Sequence, residues 1–197
     1  MDIPLELEAD LNRWYDEEHL AERMALPGFL RARRFVSVAD GPKYVALYDL
    51  ADGAMSGEAY VRALANPTEW TTRVISATTT FIRNEYELVQ SIGDSPATPS
   101  PYLLMVCLET DDEHDAELNG WYNNEHLAAL QSVPVCHTAK RYRATKLTAG
   151  FPGTWRSTSS MRPKFGPAMP GTKPPIRSGR CACASTSCLT VLARWGS

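Results

Sequence analysis

Two stretches of the 197-residue chain, Glu8–Phe35 (EADLNRWYDEEHLAERMALPGFLRARRF) and Asp115–Tyr142 (DAELNGWYNNEHLAALQSVPVCHTAKRY), align without a gap at a constant offset of 107 residues, with twelve of 28 positions identical. Leu11, Asn12, Trp14, Tyr15, Glu18, His19, Leu20, Pro27 and Arg34 recur as Leu118, Asn119, Trp121, Tyr122, Glu125, His126, Leu127, Pro134 and Arg141. Chance does not produce such a match, and a tandem duplication of one domain of roughly 100 residues is the simplest account.

Working outward from the first copy, Glu6 to Met24 reads as a helix, because Leu7, Leu11, Trp14, Ala21 and Ala25 share one face at ~100° per residue. Pro27-Gly28 ends it. Phe29 to Val38 and Lys43 to Leu50 read as a hairpin about the Asp40-Gly41-Pro42 turn. Gly57 to Ala65 and Glu69 to Ser76 read as a helix broken near Asn66-Pro67, and Thr78 to Val89 as a strand. In the second copy a strand over Pro101 to Glu109 precedes a helix over Ala116 to Ser132 and a strand over Thr138 to Leu147. The implied unit is strand, helix, two strands, helix, strand, which is the ferredoxin-like split arrangement. The expected organisation is 1–92 for a first repeat, 93–101 for a Pro- and Ser-rich linker, 102–150 for a truncated second repeat and 151–197 for a tail.

Both ends depart from that plan. At the offset of 107, Met1 aligns with Leu108, so the first copy lacks the strand that Tyr102 to Leu108 supplies in the second; its partner is expected upstream of Met1. After Gly150 the chain carries six prolines, seven basic residues and no acidic one, which puts the tail at +7 and residues 1–150 at −10 within a net charge of −3. Read two bases later, one permitted back-translation of Phe151 to Cys188 opens PRYVAVHEF, close to PKYVALYDL at Pro42 to Leu50. The tail therefore reads as a shifted reading frame, the alternative being a basic, Pro-rich disordered segment. Neither reading assigns it a function, and nucleic acid is not an expected partner.

Other classes are set aside by composition. With 44% apolar and 22% charged residues the chain reads as globular. Its longest apolar run, Tyr102 to Leu108, falls far below the ~20 residues of a membrane span, and no secretory signal pattern opens the chain, so a cytoplasmic protein without membrane partners is expected. Cys107 and Cys136 read as core residues, while the spacing of Cys181, Cys183 and Cys188 makes a poor zinc site. No metal and no cofactor is expected, and phosphate-loop, hydrolase-elbow and zincin motifs are absent from the sequence.

The recurring W-Y-x-x-E-H-L carries the chemistry that the sequence offers. At ~100° per residue Glu18 falls between Leu11 and Trp14, on the buried face, and a buried carboxylate needs a partner. Arg34 on the next strand is the natural one, with Glu125 and Arg141 repeating the pair. His19, one turn after Tyr15, borders a cleft between helix and sheet, where an imidazole can act as a general acid or base. The candidate catalytic residues are thus His19, Tyr15, Glu18 and His126. Trp14, Arg34, Tyr122, Glu125 and Arg141 are the candidate substrate contacts, and Asp16, Glu17 and Glu22 read as a solvated face. The structural alternative is an ion pair and aromatic cluster that only lock helix to sheet.

LNRWYDEEHLAERMALPGFLRARRF, with its echo LNGWYNNEHLAALQSVPVCHTAKRY, resembles the dimeric α/β-barrel superfamily, particularly EthD-like tandem proteins, over residues 1–147. The resemblance implies an α+β fold in which two tandem ferredoxin-like units form an intrachain α/β barrel, here incomplete at both ends. Members of that superfamily include aromatic-polyketide cyclases, cofactor-free monooxygenases, muconolactone isomerases and haem-dependent proteins, so the resemblance does not fix a reaction. It implies a small-molecule enzyme or binder acting on an apolar aromatic or carbonyl compound. The alternatives are a non-catalytic ligand-binding or interaction domain and an inactive truncated product. Exposed sheet edges would favour self-association.

Overall fold

The computed structural model describes residues 1–38, 41–94, 100–106, 112–134, 136–146 and 191–194. The chain forms an α+β structure in two units. Met1–Arg83, Ser95–Val106 and Leu189–Ser197 make unit 1, and Asn84–Asp94 with Cys107–Cys188 make unit 2.

In unit 1 a short 3-10 turn (Leu5–Leu7) leads into α1 (Glu8–Trp14), a π-helical turn π1 (Tyr15–His19) and α2 (Leu20–Met24), which run on as one rod with right-handed helical backbone at both joints. Gly28 follows at φ +84°, the left-handed conformation that commonly closes a helix, and a Cβ there would lie 2.7 Å from the Ala54 Cβ. The chain then enters β1 (Phe29–Ser37), antiparallel to β2 (Tyr44–Leu50) with Arg34 opposite Ala46. A 3-10 turn (Ala54–Ser56), α3 (Glu58–Ala65) and α4 (Glu69–Ser76) complete this run. The break between α3 and α4 falls at Asn66-Pro67, as proline requires.

β4 (Tyr102–Leu104) and β6 (Val191–Arg194) join the same sheet, in the order β2-β1-β6-β4. Four residues of the tail thus form a strand. The other expectations for the tail, including the Cys181, Cys183 and Cys188 cluster, lie outside the described residues. Leu11, Trp14, Tyr15, Tyr44 and Val74 make one core cluster, and Phe29, Ala54 and Tyr60 a second, with Leu26, Tyr48, Leu50 and Met55 packed against it. Each large side chain so buried contributes on the order of 1.5–3 kcal/mol.

Unit 2 repeats the rod as α5 (Asp112–Trp121), π2 (Tyr122–His126) and α6 (Leu127–Gln131), packed through Tyr122, Leu127 and Leu130 on Ala139 of β5 (Ala139–Lys146) and Ile92 of β3 (Glu85–Ile92). β3 and β5 form a two-stranded antiparallel sheet with two register shifts. The strand expected over Thr78 to Val89 therefore starts later and pairs with the second copy's strand. Thr79 and Thr80 instead hydrogen-bond the backbone of Asp2, which occupies them before β3 begins.

Two expectations need correction. Among the described residues the strands form two separate sheets, of four and two strands, and not a closed barrel. The helix face also differs, since Ala21 and Ala25 are exposed and Arg23 is buried. The π turn is the cause. It inserts one residue, so the buried face that runs through Leu11 and Tyr15 continues at His19 and Arg23, not at Glu18, Ala21 and Ala25.

Candidate functional site

In an α-helix, residues five apart point about 140° away from each other, at ~100° per residue. The π turn closes with the Leu20 N–H donating to the Tyr15 carbonyl, a five-residue span, and this brings Trp14 and His19 to the same side. Their rings stack at 4.2 Å and 29°, with Tyr15 edge-on to His19 at 5.2 Å. Unit 2 builds the same object. Leu127 N–H donates to Tyr122, Trp121 stacks on His126 at 4.2 Å, and Tyr122 stands edge-on at 5.0 Å.

The expected Glu18–Arg34 pair does not form. Glu18 Oε1 accepts hydrogen bonds from Trp14 Nε1 (3.2 Å), Thr68 Oγ1 (2.6 Å) and Thr71 Oγ1 (3.1 Å). Thr68 caps α4 by accepting from the Thr71 N–H, so Glu18 meets the first turn of that helix, where a carboxylate is favoured. Glu18 is accordingly a clamp between the rod and α4. Arg34 is buried elsewhere, donating to Asn12 Oδ1 at 2.8 Å and Asp16 Oδ1 at 3.4 Å with its guanidinium 3.9 Å over the Tyr15 ring. Burial lowers its pKa, opposed by the nearby phenols and Asp16. Arg141 repeats this, donating to Asn119 and Asn123 with its guanidinium over Tyr122.

A second set of polar atoms surrounds His19. Its side chain is 13% exposed, its Nδ1 lies 4.0 Å from Glu22 Oε2, and its ring is 6.5 Å from that of Tyr48 on β2. Burial foremost, then the charges of Arg23 and Arg34, push its pKa down to about 3, so the imidazole is neutral at physiological pH and the contact with Glu22 is no ion pair. Arg23, one turn after His19, is buried with its guanidinium 5.6 Å over the Tyr60 ring and 3.9 Å from Glu22 Oε2. Burial raises the Tyr48 phenol pKa, against the pull of Arg23 and Arg34. His19 Nδ1, Glu22 Oε2, Arg23 Nη1 and Tyr48 Oη are all buried, and none has a hydrogen-bond partner among the described residues. Such atoms are costly to leave unpaired, at about 1–3 kcal/mol each. They offer two donors, one carboxylate acceptor and an imidazole beside the aromatic rings of Phe29 and Tyr60.

Of the candidates from sequence, the structure brings His19, Tyr15 and Arg34 to this place. It puts Trp14 in the core with its N–H on Thr71, and Glu18 on α4. Sequence reasoning missed Arg23 and Tyr48, and read Glu22 as solvated. Their one trace in the sequence is that Glu22 and Arg23 become Ala129 and Leu130 in the second copy, among other differences. There Tyr122 and Arg141 are buried and burial lowers the His126 pKa, while Glu125 and Trp121 are exposed. The second copy thus keeps the ring stack and arginine of the first but not the polar set around His19.

Among the described residues no group of three His, Cys, Asp or Glu is placed to hold a metal, and no helix is long and apolar enough to cross a membrane. Comparison with family models, with curated proteins and with solved structures finds no match for the chain, which leaves the geometry of this cluster to carry its functional reading.

Proposed function

We propose that the cluster around His19 in unit 1 is the ligand site of a cytoplasmic small-molecule enzyme or binder of the EthD-like, dimeric α/β-barrel type, built from tandem ferredoxin-like units and acting on an apolar aromatic or carbonyl compound. The observation that supports it is the set of four buried hydrogen-bonding atoms that have no partner among the described residues and lie beside aromatic rings. Folding leaves such atoms unpaired where a bound group takes the place of water. Tyr48 and Arg23 donate to a carbonyl oxygen. His19 enters as a neutral imidazole that accepts a hydrogen bond from the ligand and, in the catalytic form of this reading, its proton, which burial and the two arginine charges make it hold only weakly. Tyr15 and Arg34 hold the imidazole in place. His126, Tyr122 and Arg141 form the corresponding scaffold of the second copy, with Glu125 on its exposed side.

A non-catalytic reading has an observation of its own in its favour, since the Trp-Tyr-His stack recurs in unit 2 without Glu22 and Arg23. There Tyr122 of the stack packs in the core between helix and sheet. His19→Ala separates the two readings in the full-length protein, screened for binding and turnover of small aromatic aldehydes and ketones. Lost turnover with retained binding supports acid/base chemistry, retained binding without turnover in either protein supports the binder, and unchanged turnover removes His19 from the mechanism. Self-association through exposed sheet edges belongs to the same proposal and is read from sedimentation of the intact chain.

A further inference from the structure

Two buried arginines beside an imidazole invite an anionic ligand, yet the charges at the site point elsewhere. Arg23 lies 3.9 Å from the Glu22 carboxylate, and Arg34 donates to Asp16 at 3.4 Å. Each cation already has its counter-charge, and the imidazole adds none. A carboxylate ligand entering here would bring an uncompensated charge into a buried place and lie against Glu22, which is unfavourable on both counts. What is unfilled is hydrogen bonding. Arg23 Nη1 and Tyr48 Oη are donors without a hydrogen-bond partner among the described residues, and a carbonyl oxygen, with two lone pairs, is the acceptor that suits a pair of donors, while Glu22 Oε2 and the imidazole can receive an O–H or N–H.

We infer that the ligand of this site is an uncharged aromatic compound carrying a carbonyl acceptor and an adjacent O–H or N–H donor, with Arg23 and Tyr48 reading the acceptor and Glu22 selecting against a carboxylate. This rests on the proposed function and specifies its ligand class. The internal duplication fits this, because Trp14, Tyr15, His19 and Arg34 recur in the second copy while Glu22 and Arg23 are replaced there by Ala129 and Leu130, and Phe29 beside them by Cys136.

Benzamide, benzoate and acetophenone test it on the full chain by titration calorimetry or ligand-detected NMR. Benzamide and benzoate share a shape and differ in charge; acetophenone keeps the acceptor and lacks the donor. Benzamide should bind about tenfold more tightly than either, the effect of one hydrogen bond involving a charged group. Glu22→Gln should reverse the preference toward benzoate, since it leaves Arg23 without a counter-charge. Tyr48→Phe, which keeps the packing, should weaken benzamide about tenfold. Tighter binding of benzoate by the wild-type protein, or a Glu22→Gln variant with unaltered preference, overturns the inference and leaves the site standing. If none of the three binds the folded wild-type protein, the site itself falls, and the inference with it.

Discussion

Trp14 and His19 stand five residues apart and stack at 4.2 Å, a pairing that only the π turn between them permits. The same relationship holds for Trp121 and His126, so the π turn accompanies W-Y-x-x-E-H in both units. In unit 1 the turn carries His19 into the buried cluster and sends Glu18 to α4. One inserted residue per turn thus decides which of two neighbouring polar side chains serves the fold and which faces the candidate site.

Glu18 gathers three hydrogen bonds on one oxygen. Glu18→Ala leaves the buried Trp14 N–H with Thr71 alone and removes the acceptor of two threonine hydroxyls. A loss of about 1–3 kcal/mol is expected in urea denaturation. Ligand binding by the folded fraction should be unaltered, because Glu18 does not face the cluster around His19. A variant that binds less ligand at wild-type stability would contradict this assignment.

His19 makes stability depend on acidity. Its folded pKa of about 3 lies below the ordinary value of 6.5, so between those limits the unfolded chain holds the extra proton. The contribution is fully present above pH 6.5 and is lost as the pH falls toward 3. His19→Phe keeps a ring on Trp14 and removes the titration. Denaturation midpoints at pH 7 and pH 4.5 should therefore differ less in the variant than in the wild-type protein.

Arg34 and Arg23 are both buried but should respond differently to leucine. Arg34→Leu withdraws a cation from Asn12, Asp16 and the Tyr15 face and leaves the oxygen of half-buried Asn12 without this donor, and a loss of about 2–3 kcal/mol is expected, as for losing hydrogen bonds to a charged group. Arg23→Leu installs the residue that the second copy uses at Leu130, where it packs against the core of unit 2. Its loss should be under half that of Arg34→Leu when both are followed by urea unfolding.

The pattern that the sequence displays and the pattern it conceals have one physical origin. Hydrophobic spacing at 3.6 and 2 residues located the rod, the β1–β2 hairpin and the α3–α4 break to within a residue or two, because those elements follow regular geometry. The same spacing misassigned Glu18, Ala21 and Ala25, since a periodicity argument assumes an unbroken α-helix and π1 is not one. β3 was misplaced for a different reason. Thr79 and Thr80 have strand-forming side chains, but their backbone is taken up by Asp2, a partner 77 residues or more away that no local pattern reveals. Arg23 and Tyr48 sat unread on the presumed outer face of a helix and in an alternating strand, where no periodicity marks a buried polar group.

Tyr48 should give the clearest separation of folding from function. Its hydroxyl is buried without a partner among the described residues, and burial raises its pKa, so the phenol brings an unmet donor into the core of unit 1. Tyr48→Phe removes that oxygen and keeps the ring against Phe29 at 6.0 Å, so the variant should be as stable as the wild-type protein or about 1 kcal/mol more stable in urea. A hydroxyl that served the fold would give the opposite sign, with destabilisation on removal. Stability gained together with ligand affinity lost is what a residue retained for binding produces, because the folded protein bears the unpaired group until the ligand arrives.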